Sequence, residues 1–388
     1  MAFDPAERKK ALNQAFKAIE DAAPACFMWR HHMLYGESKS IEYKPNPGGR
    51  IFGTEIRHPE RRRNMPKAIR FYQTGGPEVL VWEEVPVLKP GAGEARVRHT
   101  AVGLNYVDIY VRRGLYPAPL PSGLGTEAAG VVEEVGPGVT DIKPGDRIAY
   151  AGGPLGAYCE TRVMPADRLV VLPEGISDQQ AAAMMLKGLT VQYLIRQIHK
   201  VDKGETILFH AAAGGVGLIA CQWAKSLGTT VIGTVGNEDK AKVAKAHGCD
   251  YPIIYTREDF VARVKEITHD QKLPVVYDSV GKDTFMKSLD CLKPRGLMVS
   301  FGQSSGPIGP VDLGIFGQKG SLFFTRPTLN TYAAARPDLL AMAKDLFDVV
   351  LLGAVKIEIN QTYPLKEAAQ AHRDLESRKT IGSTVLTV

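Results

Sequence analysis

The chain has no apolar run approaching the ~18 residues that a membrane span requires. Residues 1–20 carry charges throughout and contain no apolar core segment, so no secretory leader is expected there. Cysteine is scarce. The five residues, Cys26, Cys159, Cys221, Cys249 and Cys291, lie far apart with no Cys-x-x-Cys pair. That spacing argues against a disulfide framework and fits free thiols in a reducing cytoplasm. Histidines pair only at His31-His32, and none stands at ligand spacing with a cysteine or an acid, so no metal site is expected. Large charge of one sign is missing from the body. The net charge is +6, of which residues 1–64 hold +4 and the remainder +2. A near-neutral body has no basic stripe for nucleic acid. There is no internal repeat and no low-complexity tract.

What remains is the composition of a packed protein, 44% hydrophobic and 23% charged over 388 residues, enough for two domains. Residues 4–19 have the spacing of a short amphipathic helix, with Leu12, Phe16 and Ile19 on one face. Beyond it, residues up to 64 show no regular period. Two readings of this leader stand: a targeting or RNA-binding arm, and a flexible or non-native appendage ahead of Met65. From Met65 to about Ala182 short apolar stretches alternate with turns such as Lys143-Pro-Gly-Asp146, the texture of a small all-β barrel or sandwich.

From Lys187 the period changes. A helix over 189–199 precedes strands at 206–209, 230–234, 252–255, 275–278 and 297–301. Helices at 218–227, 239–246, 259–268 and 284–292 separate them. Strict alternation predicts a parallel sheet covered on both faces. A helix over 338–352 and a strand over 383–388 close the chain.

The stretch Ala211-Ala-Ala-Gly-Gly-Val-Gly217 sits between the first of these strands and its helix. It is a variant of the dinucleotide fingerprint, with Ala212 in place of the first glycine. Gly214 and Gly215 leave the backbone open to a pyrophosphate, and Gly217 lets the helix approach its strand. The helix start favours the anion. At the end of the second strand an NAD enzyme presents an acid. Here Thr234-Val-Gly-Asn237 stands, and Glu238 and Asp239 fall in the first turn of the next helix. Lys240 follows and can meet a 2′-phosphate, so NADPH is the expected cofactor. Gly302-Gln-Ser304-Ser-Gly306 has the letters of a nucleophile elbow, but Pro307 and Pro310 prevent the prompt helix that motif needs. It is expected to be a flexible loop after the last parallel strand. Asp278 ends a strand near the cofactor, and cofactor binding and turn capping both remain open for it.

A β domain, a dinucleotide fold and a return to the first domain resemble the medium-chain dehydrogenase/reductase superfamily. Gly103-Leu-Asn-Tyr-Val-Asp-Ile-Tyr110, Arg113-Gly-Leu-Tyr-Pro117 and Gly123-Leu-Gly-Thr-Glu-Ala-Ala-Gly130 resemble its quinone oxidoreductase, or zeta-crystallin, branch. So do His210–Gly217, Val276-Tyr-Asp-Ser-Val-Gly281 and Leu297-Met-Val-Ser-Phe-Gly302. The match runs from Met65 to the C-terminus and is nearest to bacterial NADPH:quinone reductases. It implies an α/β fold: a GroES-like β-barrel catalytic domain over 65–188 and 322–388, and a Rossmann doubly wound sheet over 189–321. Zinc alcohol dehydrogenases of the superfamily place Cys where Asn105 stands and His where Thr126 stands. No zinc is therefore implied.

The resemblance puts Asn105, Tyr110 and Tyr116 in catalytic positions beside the nicotinamide. Cofactor contacts are implied from Asn105, Tyr106 and Asp108, from Tyr150, Lys187 and Thr190, and from Ala213, Gly214, Gly215 and Val216. Asn237, Lys240, Tyr255 and Arg378 are implied at the adenine and 2′-phosphate end. Ser279, Phe301, Gly302, Gln303 and Phe324 complete the set. The implied protein is a cytoplasmic homodimer that reduces quinones with NADPH and binds no nucleic acid. One alternative is reduction of an activated C=C bond in an enone, 2-enal or enoyl thioester. Another is an NADPH-binding structural or RNA-binding role, since some zeta-crystallin relatives are lens proteins or bind AU-rich RNA.

Overall fold

Short apolar stretches between Gly- and Pro-rich turns form strands, and the later alternation forms strand–helix units. The computed structural model describes residues 65–388 continuously, and four short strands before them. Its contacts divide the chain into two units, Met1–Met65 and Pro66–Val388. In the first, β1 (Met28–Arg30) pairs antiparallel with β2 (Met33–Tyr35), and β3 (Glu42–Tyr43) with β4 (Ile56–Arg57). Sequence periodicity had given no strand there, because segments of two or three residues carry no period. The helix expected over 4–19 lies outside the described residues.

The second unit begins with β5 (Lys67–Phe71), β6 (Val81–Glu84) and the long β7 (Glu94–Leu104). Then come α1 (Tyr106–Arg112), β8 (Ser122–Gly123), β9 (Glu127–Val135), β10 (Arg147–Ala151), β11 (Thr161–Pro165) and β12 (Val170–Val171). Along β7, Ala95, Val97 and His99 are buried at every second position, the period of a strand with one face inward. They join Phe71, Val132, Ile148 and Tyr158 in or beside one apolar core. Helix α2 (Asp178–Tyr193) leads out of this part.

Two departures from the all-β expectation have local causes. Helix α1 interrupts the barrel segment; its β-branched and aromatic residues mask it, but Asp108 accepts the backbone N–H of Asn105 at 2.9 Å, half of a capping box. Helix α2 starts at Asp178, eleven residues before the expected 189, where Ser177 and Gln180 exchange backbone N–H bonds at 3.2 and 3.1 Å. That Ser-x-x-Gln was the legible signal.

The alternating region supplies β13 (Thr206–Phe209), α3 (Gly215–Ser226), β14 (Thr230–Val235), α4 (Glu238–Ala246), β15 (Tyr251–Ile254) and α5 (Phe260–Ile267). Next are β16 (Leu273–Asp278), α6 (Phe285–Asp290), β17 (Leu292–Ser300), α7 (Gly314–Gln318) and β18 (Phe323–Thr325). All pairings in this sheet are parallel, in the order β15-β14-β13-β16-β17-β18. Numbered within the sheet that is 3-2-1-4-5-6, the doubly wound order with its crevice beyond β13 and β16. The sixth strand was not foreseen. It has three residues and carries the sheet past residue 321, so the Gly302–Gly306 loop follows the fifth strand and not the last.

The chain then forms α8 (Leu329–Tyr332), α9 (Arg336–Leu351), β19 (Ile359–Pro364), α10 (Ala368–Glu376) and β20 (Ser383–Thr387). Strand β20 pairs antiparallel with β7, Leu386 opposite Val102, which returns the C-terminus to the first sheet. No helix among the described residues is long and apolar enough to cross a membrane.

Gly217 fixes how closely α3 lies on its strand. A Cβ built there would stand 2.4 Å from the Ala211 carbonyl oxygen and 2.7 Å from the Ala212 carbonyl carbon, both backbone atoms that cannot swing aside. Gly217→Ala is therefore expected to destabilise the fold by about 1–3 kcal/mol, the usual range for overpacking. Urea unfolding of the two proteins measures this, and coincident midpoints would show that the helix shifts freely.

Candidate active site

The glycine loop ends β13 and opens α3 at the sheet's crevice. Gly214 is the N-cap residue and has no side chain to occupy the helix start. The first N–H groups of the helix have no partner within it. Lys187 from α2 crosses this point: a Cβ at Gly215 would lie 2.8 Å from Lys187 Cδ. The Ala213 carbonyl accepts the N–H of Gly382 at 3.0 Å, which ties the loop to the returning C-terminal segment.

At the end of β14, Asn237 caps α4, its Oδ1 accepting the Lys240 N–H at 2.9 Å. Glu238 and Asp239 lie in the first helical turn, as the sequence indicates. The Lys240 ammonium donates to the carbonyl of Arg378 at 3.0 Å. Arg378 itself adopts a positive φ of 59°. Partial burial, and then the like charge of Arg378, lower the Lys240 pKa. Lys240 is thereby tied to the segment that carries Arg378, and its ammonium can meet a phosphate. Tyr255 is adjacent: its hydroxyl would lie 3.4 Å from a Cβ at Gly236.

From the barrel side, α1 presents Tyr106 and Tyr110, and the chain after it presents Tyr116. Their rings pack edge to face, with centroids 5.4 and 5.2 Å apart. All three reach the sheet. Tyr110 Oη accepts the Gln303 N–H at 3.0 Å, Tyr106 Oη donates to the Ser304 carbonyl at 3.5 Å, and Tyr116 Oη accepts from Arg326 at 3.4 Å. Burial pushes the Tyr110 phenol well above its ordinary pKa, and burial raises that of Tyr106 as well. These are poor acids at neutral pH. Behind the loop, the Ser279 carbonyl accepts the Ser304 N–H at 3.1 Å, and the Phe301 ring packs on Phe209 at 5.5 Å. A Cβ at Gly302 would stand 2.7 Å from the Ser279 carbonyl oxygen. Val216 is half-buried, and Thr190 donates its hydroxyl to the Leu186 carbonyl at 2.7 Å. Phe324 packs on Phe285 and Phe316 at the sheet's edge, with centroids 5.7 and 5.8 Å away.

Glu127, which the sequence reading passed over, joins these parts. Its carboxylate is wholly buried and accepts the Leu186 N–H at 2.7 Å, Asn105 Nδ2 at 2.6 Å and Lys187 Nζ at 3.1 Å. A lone acid in the otherwise apolar run Glu127-Ala-Ala-Gly-Val-Val132 was the signal. Two of the expected cofactor contacts lie inside the fold. Asp108 and Tyr150 are fully buried: Asp108 Oδ2 accepts from Asn105 N–H and from Tyr158 Oη, both at 2.9 Å, and Tyr150 Oη bonds His99 Nε2 at 3.0 Å. They support the site from within. Asp278, left open above, is a turn cap: its carboxylate accepts from Val280 N, Gly281 N and Thr284 Oγ1 at 2.7, 3.1 and 2.7 Å. Among the described residues no three His, Cys, Asp or Glu side chains gather where they could hold a metal ion.

Comparison with known proteins finds relatives over most of the chain. The family description "Alcohol dehydrogenase GroES-like domain" matches residues 91–174, and "Zinc-binding dehydrogenase" matches residues 215–343. The chain is 58% identical over 323 residues to a quinone oxidoreductase of Pseudomonas aeruginosa, covering 83% of this chain and 99% of that one. It is 48% identical over 333 residues to a 2-haloacrylate reductase of a Burkholderia species, again with 83% and 99% covered. The crystal structure of an Escherichia coli quinone oxidoreductase complexed with NADPH superposes with a TM-score of 0.82 at 53% identity, covering 83% of this chain and 100% of that one.

Asp108 gives the site a pH signature. Burial, with one carboxyl oxygen unpartnered, raises its pKa from 3.8 to about 7, against the two hydrogen bonds that lower it. The folded state therefore holds a proton that the unfolded chain releases. The stabilising contribution is complete below about pH 4 and is lost as pH rises through about 7. Asp108→Asn keeps an acceptor oxygen and removes this proton linkage. Urea midpoints between about pH 5 and pH 8 should fall more steeply for the native protein than for the variant; parallel profiles would refute the assignment.

Proposed function

The chain belongs to the zinc-independent, zeta-crystallin-like quinone oxidoreductases of the medium-chain dehydrogenase/reductase superfamily, and we propose that it holds its quinone against the wall of Asn105, Tyr110 and Tyr116. It is an NADPH-dependent quinone reductase. The observation that carries the site reading is the row of three edge-packed tyrosines whose hydroxyls meet the sheet's crevice. Residues 65–188 and the returning C-terminal segment present this wall, and the parallel sheet holds the cofactor. The same reading makes the protein a cytoplasmic homodimer that does not bind nucleic acid.

The residues present fit NADPH. The open start of α3 at Gly214 and Gly215 receives the pyrophosphate, and Lys240 with Arg378 receives the 2′-phosphate. Tyr255 and Asn237 flank that end, and Lys187 crosses beside Gly215. Ala213, Val216, Thr190, Ser279, Phe301, Gly302 and Gln303 line the path between, and Phe324 closes its outer edge. Bound there, NADPH supplies the electrons that reduce the quinone. The chain's own contribution is orientation. Asn105 is fixed by Glu127, and Tyr110 by Gln303. The tyrosine edges would hold a flat ring on the barrel side of the crevice, since the reaction requires it close to the cofactor. Burial raises the Tyr110 pKa, and its role in this reading is to orient the ring. The reduced quinone takes its proton from water.

A second reading is reduction of an activated C=C bond, favoured by the 48% identity to a 2-haloacrylate reductase. Steady-state turnover of a benzoquinone and an enone under identical conditions separates the two. If the enone is the faster substrate, the second reading replaces the first.

Two predictions follow from these roles. Lys240→Ala should raise KM for NADPH about tenfold or more and leave KM for NADH nearly unchanged, since a charge-assisted contact is worth roughly 1.5–3 kcal/mol. Equal effects on both cofactors would show that Lys240 does not read the phosphate. Tyr110→Phe and Tyr116→Phe should each lower quinone turnover by roughly tenfold at most, whereas a general acid contributes about 10²–10⁴-fold. A hundredfold fall in kcat at unchanged KM, in either variant, would mean that the tyrosine donates a proton.

A further inference from the structure

Arg326 follows β18 and carries its guanidinium to the mouth of the crevice. Nη1 donates to Ser300 Oγ at 2.9 Å and to the Ser300 and Gly302 carbonyls at 3.3 Å each. Nη2 donates to Tyr116 Oη at 3.4 Å. Every acceptor is neutral, and among the described residues Arg326 makes no ion pair. Arg112, Arg147 and Arg336 show the usual alternative, each paired with a carboxylate. The side chain is thus held through both Nη nitrogens. Nε and the remaining hydrogen of Nη2 are available in a fork that suits oxygen acceptors. Its charge also bears on the Tyr110 phenol, as the smallest of the causes acting there.

We propose that Arg326 is a catalytic residue on the substrate side, whose guanidinium holds the quinone oxygen on which negative charge develops. This rests on the placement of the quinone at Tyr110 and Tyr116. A quinone that gains two electrons and one proton becomes a hydroquinone anion, NADPH becoming NADP⁺; a proton from water then completes the hydroquinone. The anion needs a partner before that proton arrives. A guanidinium stays charged at any working pH, and it stabilises an oxyanion more than the neutral carbonyl before it. The two neighbouring phenols cannot supply a positive charge. The same feature selects substrates: planar acceptors with an oxygen, or a carboxylate, at the end nearest Tyr116 are preferred over uncharged alkenes.

The test uses the full chain with Arg326→Met and Arg326→Lys. Equilibrium binding is followed by fluorescence without NADPH, so that neither probe is reduced, using two probes of one shape, 4-nitrophenol at a pH where it is ionised, and nitrobenzene. Arg326→Met should lower kcat/KM for 1,4-benzoquinone roughly tenfold or more and weaken nitrophenolate binding by a similar factor. Nitrobenzene binding should change less than twofold. Arg326→Lys, which keeps the charge but not the fork, should recover part of both losses. A purely structural tether to Ser300 and Gly302 would weaken both probes alike, with no recovery in the Lys variant, and that result overturns the proposal. So does turnover within twofold of native in the Met variant. The ratio of the two probes is the readout, so a moderate loss of stability cannot imitate it. If Tyr110→Ala and Tyr116→Ala, which remove the rings, both leave nitrobenzene binding unchanged, the placement of the quinone fails, independently of the result at Arg326.

Discussion

Glu127 carries a carboxylate with no exposed surface, and its surroundings must supply every partner that water would have given it. Three donors do so, from separate pieces of chain: the Leu186 amide and the Lys187 ammonium of α2, and the Asn105 amide ahead of α1. Removing one side of such a buried pair leaves an uncompensated charge, which is strongly destabilising. The constraint acts on geometry as well as stability. It sets β9 against α2, orients Asn105 beside the tyrosines, and sends the stem of Lys187 across Gly215. The tyrosine wall and the glycine loop therefore share one fixed point.

From that point the cleft is closed by a few polar contacts. Tyr106, Tyr110 and Tyr116 each place a hydroxyl on the sheet's loops, so the wall moves only if those bonds break. Further back, Asp108, Tyr158, His372 and Arg112 form a buried chain of hydrogen bonds that ends at Glu376. Burial, and then the Arg112 charge, lower the His372 pKa to about 3, which keeps the ring neutral within this chain. Rigid support of this kind suits a reaction in which the protein orients and the cofactor and substrate hold the reactive electrons.

Much of this was legible in the residues. Apolar alternation located the five longer parallel strands to within a few residues, because a strand buried on both faces has to be a continuous apolar run. The glycine loop, the missing acid after β14 and Lys240 pointed to NADPH, because each acts through its own backbone or charge. Helix starts were less legible. Those of α1 and α2 rested on capping bonds at Asn105–Asp108 and Ser177–Gln180, within segments whose apolar pattern suggested strands or a later helix. The three-residue β18 carried no pattern at all.

The sequence by itself determined the doubly wound sheet, the β part to which the chain returns, and the cofactor's phosphate preference. Each is a local signal of period, turn chemistry or charge, repeated or confined to neighbouring positions. Tertiary structure decided which polar groups meet. It buried Asp108 and Tyr150, made Asp278 a turn cap, joined Glu127 to Lys187 sixty residues away, and brought Arg326 to Tyr116 across 210 residues. No property of a single residue encodes such pairings. They exist because closure of β20 on β7, and of the tyrosine wall on the sheet, brings distant segments within hydrogen-bond distance, where desolvation requires every buried polar group to find a partner.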